Sequence, residues 1–181
     1  MRVRNKLVCA AVAIACFSWG ASAELSPNAI GLRLGGGSLM GGEINYQKAM
    51  GAANRLELGA SYSSKSENFA QTPFTASYSY STHYFGAFGA YHWHFNITDG
   101  LNWYVGPGAG FGMWSWSHNA LGYKVSDSGF FLNIGGQVGI EYNFNVSNVP
   151  LVLSLDTRPM FGLLNSSGFG WDFGLGIRYT F

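Results

Sequence analysis

From residue 28 onward, apolar residues alternate with small or polar ones in stretches of about 10, the length of a membrane-crossing strand. The last stretch shows it most clearly. Phe169, Trp171, Phe173, Leu175, Ile177, Tyr179 and Phe181 hold one parity, and Gly168, Gly170, Asp172, Gly174, Gly176, Arg178 and Thr180 hold the other. Successive side chains of a strand point to opposite sides, so a period of two over this length predicts a β-strand with two unlike faces. Seven earlier stretches follow the same rule, near 29–36, 41–48, 55–64, 77–95, 101–115, 129–145 and 150–163. In the first, Ile30, Leu32 and Leu34 oppose Gly31, Arg33 and Gly35; in the third, Leu56, Leu58, Ala60 and Tyr62 oppose Arg55, Glu57, Gly59, Ser61 and Ser63. No helical period competes with them.

The connections alternate in character. Those at 49–54, 96–100 and 146–149 are short and turn-like, and those near 65–76, 116–128 and 164–168 are more polar and mostly longer, with a short glycine turn near 36–41. Eight strands with short turns at one end and longer loops at the other predict an all-β, antiparallel, up-and-down barrel.

Alternation alone does not say which face is outside, because a water-soluble barrel has the same period with its apolar residues turned inward. Three features set the phase. Aromatics stand at the ends of the apolar face, with Tyr46, Trp93, Trp103, Tyr142 and Tyr179 at one expected rim and Tyr62, Phe130, Phe161 and Trp171 at the other. Two such girdles mark the interfaces of a membrane barrel. The opposite face mixes glycines with single charges, which suits a crowded interior. The apolar face has no charge at any strand centre, where a Lys or Arg would cost about 2–4 kcal/mol in lipid. The expected fold is therefore an eight-stranded transmembrane β-barrel.

That phase turns Arg33, Glu43, Arg55, Glu57, Glu141, Asp156, Arg158, Asp172 and Arg178 into the lumen. Charges so confined are expected to pair, since an unpaired buried charge is strongly unfavourable. Gly106, Gly108, Gly110 and Gly112 leave one bare stretch of inner wall into which Arg158 or Phe88 can reach. An interior of this size is filled by side chains rather than left as a wide pore. The fourth stretch breaks phase: Tyr78, Tyr80 and Tyr84 share one parity, and Phe85, Tyr91 and Trp93 the other. Either a bulge sits near 83–86 or the upper tyrosines line the mouth of the lumen. Pro107 and Pro159 fall inside strands and cannot donate to a ladder. They mark either local bulges or a lateral opening beside the sixth stretch.

Composition agrees with this picture. Only 10% of residues are charged, against about a quarter in soluble domains. Residues 1–23 read as a cleaved signal peptide: Arg2, Arg4 and Lys6 precede the apolar run 7–17, and Ala21-Ser22-Ala23 supplies a small-x-small cleavage site. The barrel domain is then 24–181, with seven Lys and Arg against nine Asp and Glu, and no basic patch for nucleic acid. Both cysteines, Cys9 and Cys16, leave with the leader, which excludes disulfides and thiolate chemistry. A competing reading makes Cys16, behind Ala13-Ile14-Ala15, a lipidated residue. No cofactor is expected.

The run Gly174-Leu175-Gly176-Ile177-Arg178-Tyr179-Thr180-Phe181 resembles the C-terminal assembly signal of outer-membrane proteins. The resemblance implies recognition by the barrel assembly machinery at Gly176, Tyr179 and Phe181. By pattern, residues 28–181 look like the small eight-stranded outer-membrane barrels of the OmpA-transmembrane-domain and OmpX type. The resemblance implies the outer membrane of a Gram-negative bacterium, with both termini in the periplasm and with membrane lipid and lipopolysaccharide as surroundings.

Some small barrels of this kind trim or acylate lipid A. Ser81 and His83 share a face near the outer end of the fourth stretch and are candidates for a nucleophile–base pair, oriented by a carboxylate such as Glu67. The His-x-Ser-Asn run of the deacylase family is absent. His92 and His94 flank Trp93 and point into the lumen, where a third ligand from Glu57 or Glu141 would make a metal site. The reading adopted is a non-enzymatic barrel serving envelope structure or, through external loops, a host or surface ligand. A lipid A-modifying enzyme and a narrow channel for small or amphipathic solutes are the alternatives.

Overall fold

The computed structural model describes residues 25–35, 41–69, 78–120, 123–164 and 168–181. The expected leader 1–23 and the start at Glu24 lie outside these residues. The strands are β1 (Asn28–Gly35), β2 (Gly41–Ala49), β3 (Asn54–Phe69), β4 (Tyr78–Thr98), β5 (Leu101–Ala120), β6 (Tyr123–Asn143), β7 (Leu151–Leu164) and β8 (Gly168–Thr180). Each pairs antiparallel with the next, and β8 returns to β1 to close the ring. Closure leaves no edge through the shared part of the wall, the condition for crossing hydrocarbon without unsatisfied backbone groups.

The start of β1 and the end of β8 lie at one rim, tied by the backbone bonds from Asn28 N–H to the Phe181 carbonyl and from Phe181 N–H to the Asn28 carbonyl. The tight turns share this rim. Gly100 takes a positive φ of 79° between β4 and β5, and a 3-10 turn at Phe144–Ser147 ends on left-handed Asn148 before β7. The sixth strand therefore stops at Asn143, short of the expected 145, because the chain must begin that turn.

In the ring shared by all strands, the outward residues are apolar and exposed. Leu34, Phe111, Phe130 and Leu175 each show more than 60% of their surface, while the residues between neighbouring outward positions turn inward. From Phe169 to Tyr179 the outward row of β8 rises about 25 Å, taking a rise of about 3.3 Å per residue and a tilt of about 40°. That height matches a hydrocarbon belt. The fold is a transmembrane β-barrel whose outside is solvated by lipid.

The wall is not of even height. Strands β3 to β6 run 16, 21, 20 and 21 residues, so much of what the sequence predicts as loops at 65–76 and 116–128 is extended strand. On this extension the polarity reverses along a straight line. Tyr62, Phe85, Met113 and Phe130 are cross-strand partners and form the last apolar outward row. The next outward row is Ser64, His83, Ser115 and Ser128, and the one beyond is Ser66, Ser81, Ser117 and Ser126. Lipid ends where the serines begin.

The reversal also resolves the phase break in β4. Its pairing with β3 and β5 runs without a register shift through 83–86, so no bulge sits there. Tyr80 and Tyr84 line the mouth of the lumen instead, because above the lipid the outward face meets water. The prolines interrupt pairing without shifting it. The β4–β5 ladder skips the two positions opposite Pro107 and Gly106, and the β6–β7 ladder skips those opposite Pro159 and Arg158. The expected bulges are elsewhere, between Asn96 and Thr98 and between Leu132 and Asn133. The β5–β6 seam is continuous from Leu101 to Ala120.

The serine rows give a direct test. Single cysteines at Ser117 and Ser126 should react rapidly with a membrane-impermeant maleimide in nanodiscs, and those at Phe111 and Leu175 should stay protected. Equal labelling at Ser117 and Phe111 would refute the boundary.

Candidate functional site

Three places carry polar chemistry: the lumen, an outward serine–histidine cluster, and a vestibule above the lumen. In the lumen, eight of the nine charged positions singled out from the sequence are buried, at 6% exposure or less. Asp172 is the exception, with a third of its side chain exposed on the vestibule floor.

The arginines act as struts between walls. Arg33 of β1 places Nε 3.0 Å and Nη2 2.7 Å from Asp156 Oδ1 of β7, and its Nη1 donates to Asp172 at 3.0 Å. Arg158 of β7 reaches across to β2 and β3, donating to Glu43 at 2.6 and 2.9 Å and to Glu57 at 2.7 Å. Its guanidinium carbon stands 3.8 Å over the Phe88 ring, so a cation–π contact adds to the ion pairs. Arg178 of β8 meets Glu57 at 3.3 Å, Ser154 at 2.7 Å and Asn45 at 3.2 Å. Arg55 of β3 spans to Glu141 of β6 at 3.1 Å and also donates to Gln47, which in turn donates to Glu57. Planar guanidinium forks suit this role because each can serve several acceptors at once.

Glycine makes room for the struts. A Cβ on Gly108 would stand 2.7 Å from Phe88 Cζ, and one on Gly174 would fall onto the Arg33 guanidinium. The bare inner stripe of β5 is thus occupied by Phe88 from the neighbouring strand β4, with Arg158 of β7 stacked on its ring.

Sequence reasoning missed several members of the lattice: Asn45, Gln47, Ser154 and Tyr104, whose hydroxyl lies 3.4 Å from Asp156. Their parity was the available signal, since each shares the inward face with the charges. Glu57, Arg178 and Tyr104 have no solvent-exposed surface. Side chains close the lumen at this level.

His92 and His94 are both buried in the lumen, packed around the Tyr104 ring at centroid distances of 5.0 and 5.1 Å. His94 Nδ1 lies 3.4 Å from Glu141. The carboxylates that would complete a metal site are engaged by arginines, Glu141 by Arg55 and Glu57 by Arg158 and Arg178. Among the described residues no group of three His, Cys, Asp or Glu is placed to hold a metal ion.

Ser81 and His83 do meet on the outward face. Ser81 Oγ lies 3.1 Å from His83 Nε2, and His83 Nδ1 lies 3.0 Å from the Tyr62 hydroxyl. Ser66 Oγ extends the chain at 3.1 Å from Ser81 Oγ. Register explains the assembly, because Ser66 faces Ser81 and Tyr62 faces Phe85, one row below His83. The side chain of Glu67, the expected orienting carboxylate, lies outside the described residues; Tyr62 holds the histidine instead. At the C-terminus, Tyr179 and Phe181 face outward with rings stacked at 6.4 Å, and Gly176 faces inward against Ser154.

No family model matches the chain, and no curated protein matches it. Solved structures do. Ail, the attachment invasion locus protein of Yersinia pestis, in complex with the heparin analogue sucrose octasulfate, superposes with a TM-score of 0.56 at 14% identity, over 86% of this chain and 97% of that one. Outer membrane protein H (OprH) from P. aeruginosa gives 0.55 at 15% identity, covering 86% of this chain and 100% of its own. A major outer membrane protein from Thermus thermophilus gives 0.53 at 12% identity, over 85% and 99%. The architecture is that of the small eight-stranded outer-membrane β-barrels. At these identities the likeness extends to the fold alone.

The lattice predicts a large response to breaking one node. Glu57→Ala leaves Arg158 and Arg178 short of a partner and should destabilise the barrel by about 3–5 kcal/mol. Reversible urea unfolding in lipid vesicles measures it, and a loss under about 1 kcal/mol would show that the struts do not hold the lumen together.

Proposed function

We propose that the chain is an integral outer-membrane protein of a Gram-negative bacterium, non-enzymatic, serving envelope structure or surface interaction through its outer extension. The observation that carries this reading is the sorting of polarity: a lipid-facing belt outside, and a lumen closed by arginine struts that leave no room for bulk flow. The serine-faced extension of β3 to β6 lies at the end opposite the termini. In the proposed orientation it projects from the cell, with both termini periplasmic. Lipopolysaccharide and phospholipid are the proposed surroundings, and the barrel assembly machinery, acting on Gly176, Tyr179 and Phe181, the proposed route of insertion. A struts-in-place lumen argues against the narrow-channel reading.

One observation favours a second reading, a lipid-modifying hydrolase. The Ser81–His83–Tyr62 chain lies within a row or two of the aromatic boundary, where ester groups of the outer leaflet sit. In that reading Ser81 Oγ attacks an acyl ester carbonyl while His83 Nε2 takes its proton and Nδ1–H donates to the Tyr62 oxygen; the ester C–O bond breaks, the lipid hydroxyl leaves with the proton from Nε2, and water then hydrolyses the acyl-serine to the free fatty acid.

Expressed in a Gram-negative host, the protein should fractionate with the outer membrane and begin at Glu24. Recovery in the inner membrane or cytosol would overturn the placement. Lipid A from the same cells should have an unchanged mass spectrum. Loss of an acyl chain that Ser81→Ala or His83→Ala abolishes would replace the main reading with the second.

A further inference from the structure

Above the lipid line the two faces of the extension exchange character, and the inner face carries aromatic rings that, among the described residues, remain partly open. Tyr80, Tyr84, Trp114, Trp116 and Phe131 all turn inward there, on three adjacent strands, and line a cavity of about 340 Å³. Tyr80 and Trp116 stack on one another, with planes 27° apart and centroids at 6.2 Å. Tyr84 and Phe131 close the lower side of the cavity at 6.3 Å. In the membrane belt aromatic rings face out because lipid solvates them. Here they face in, towards a water-filled mouth, where an apolar wall has no solvation to gain.

The cavity is continuous with a second one below it, of about 500 Å³, through the shared residues Tyr84, Phe131 and Asn133. The lower space is floored by Arg33, Glu43, Arg158 and Asp172. Two guanidiniums against two carboxylates, already paired with one another or with Asp156, make a floor with polar groups but no excess charge. A purely apolar occupant would leave the polar groups of this floor unmatched, and Lys65 and Asp127, in one inward row with Thr82 and Trp116, bring one charge of each sign, so a ligand of strong net charge finds no matching excess. Tyr and Trp, with an apolar body and a polar tip, suit a ligand that is apolar on its faces and hydroxylated at its rim.

We infer that this aromatic vestibule is a binding site for an uncharged carbohydrate, a disaccharide-sized segment whose ring faces stack on Tyr80 and Trp116 and whose hydroxyls turn towards the lower, polar space. The site deepens the surface-interaction reading and rests on it. It gives that reading a location, inside the mouth rather than on the loop tips, and a ligand class.

The test is calorimetric titration of the full barrel in nanodiscs with N,N′-diacetylchitobiose, maltose and lactose, and in parallel with a sulfated disaccharide and with octanol. At least one uncharged disaccharide should bind saturably. Trp116→Ala and Tyr80→Ala should each weaken it ten-fold or more, and Trp116→Phe and Tyr80→Phe should keep most of the affinity. These residues lie above the belt, and heat-modifiable migration on gels checks that every variant remains folded. No binding by any of the three sugars, binding only of the sulfated disaccharide or of octanol, or affinity indifferent to the alanine variants would overturn the inference. Fractionation reads membrane placement separately, so a calorimetric null removes the sugar site and leaves the outer-membrane reading standing.

Discussion

A backbone that crosses hydrocarbon must satisfy every N–H and C=O within the protein, and the rest of this molecule follows from that constraint. Strands meet it only by closing into a ring, and here the closing seam joins β8 to β1 along seven paired positions from Ala29 to Gly35. Once the ring is closed, alternation assigns half the side chains to lipid and half to the lumen. The lumen of an eight-stranded ring is too narrow for bulk water, so whatever points inward must be complementary to whatever points inward from the opposite wall.

The struts are the solution this sequence uses. Each arginine links strands far apart in the chain: β1 with β7 and β8, β7 with β2 and β3, β8 with β3, and β3 with β6. Burying such charges is expensive, and their pairing offsets that cost only when the geometry is nearly complete. The lattice therefore favours one register of one closed barrel, since shifting a strand by two residues would keep its facing but separate the partners. Glycine contributes by absence: Gly108 admits Phe88, Phe88 supports Arg158, and Arg158 joins Glu43 to Glu57.

The same logic changes at the outer boundary, where the medium on the outside changes from lipid to water. Across one row, Tyr62, Phe85, Met113 and Phe130 give way to Ser64, His83, Ser115 and Ser128. The inner face becomes aromatic over β4, β5 and β6. A wall that is apolar inside and hydroxylated outside suits the proposed recognition role, and the wall that is apolar outside and charged inside is shaped to stay closed. In that proposal, structure and recognition occupy different heights of one sheet.

Much of this was legible in the chain. Period-two alternation located the strands, and the absence of charge from the apolar parity of Phe169 to Phe181 set which face meets lipid, because both signals are local and depend on neighbours two residues away. The inward parity of Arg33, Glu57, Arg158 and Arg178 was equally local. Their partners were not. Which carboxylate receives Arg158, or that Tyr62 reaches His83, depends on the register between strands, and register is a property of the closed ring. The reversal of faces in β4 read as a defect in one strand and became a boundary only when four strands were aligned. Alternation is written along the chain; complementarity across a lumen exists only after the strands have met.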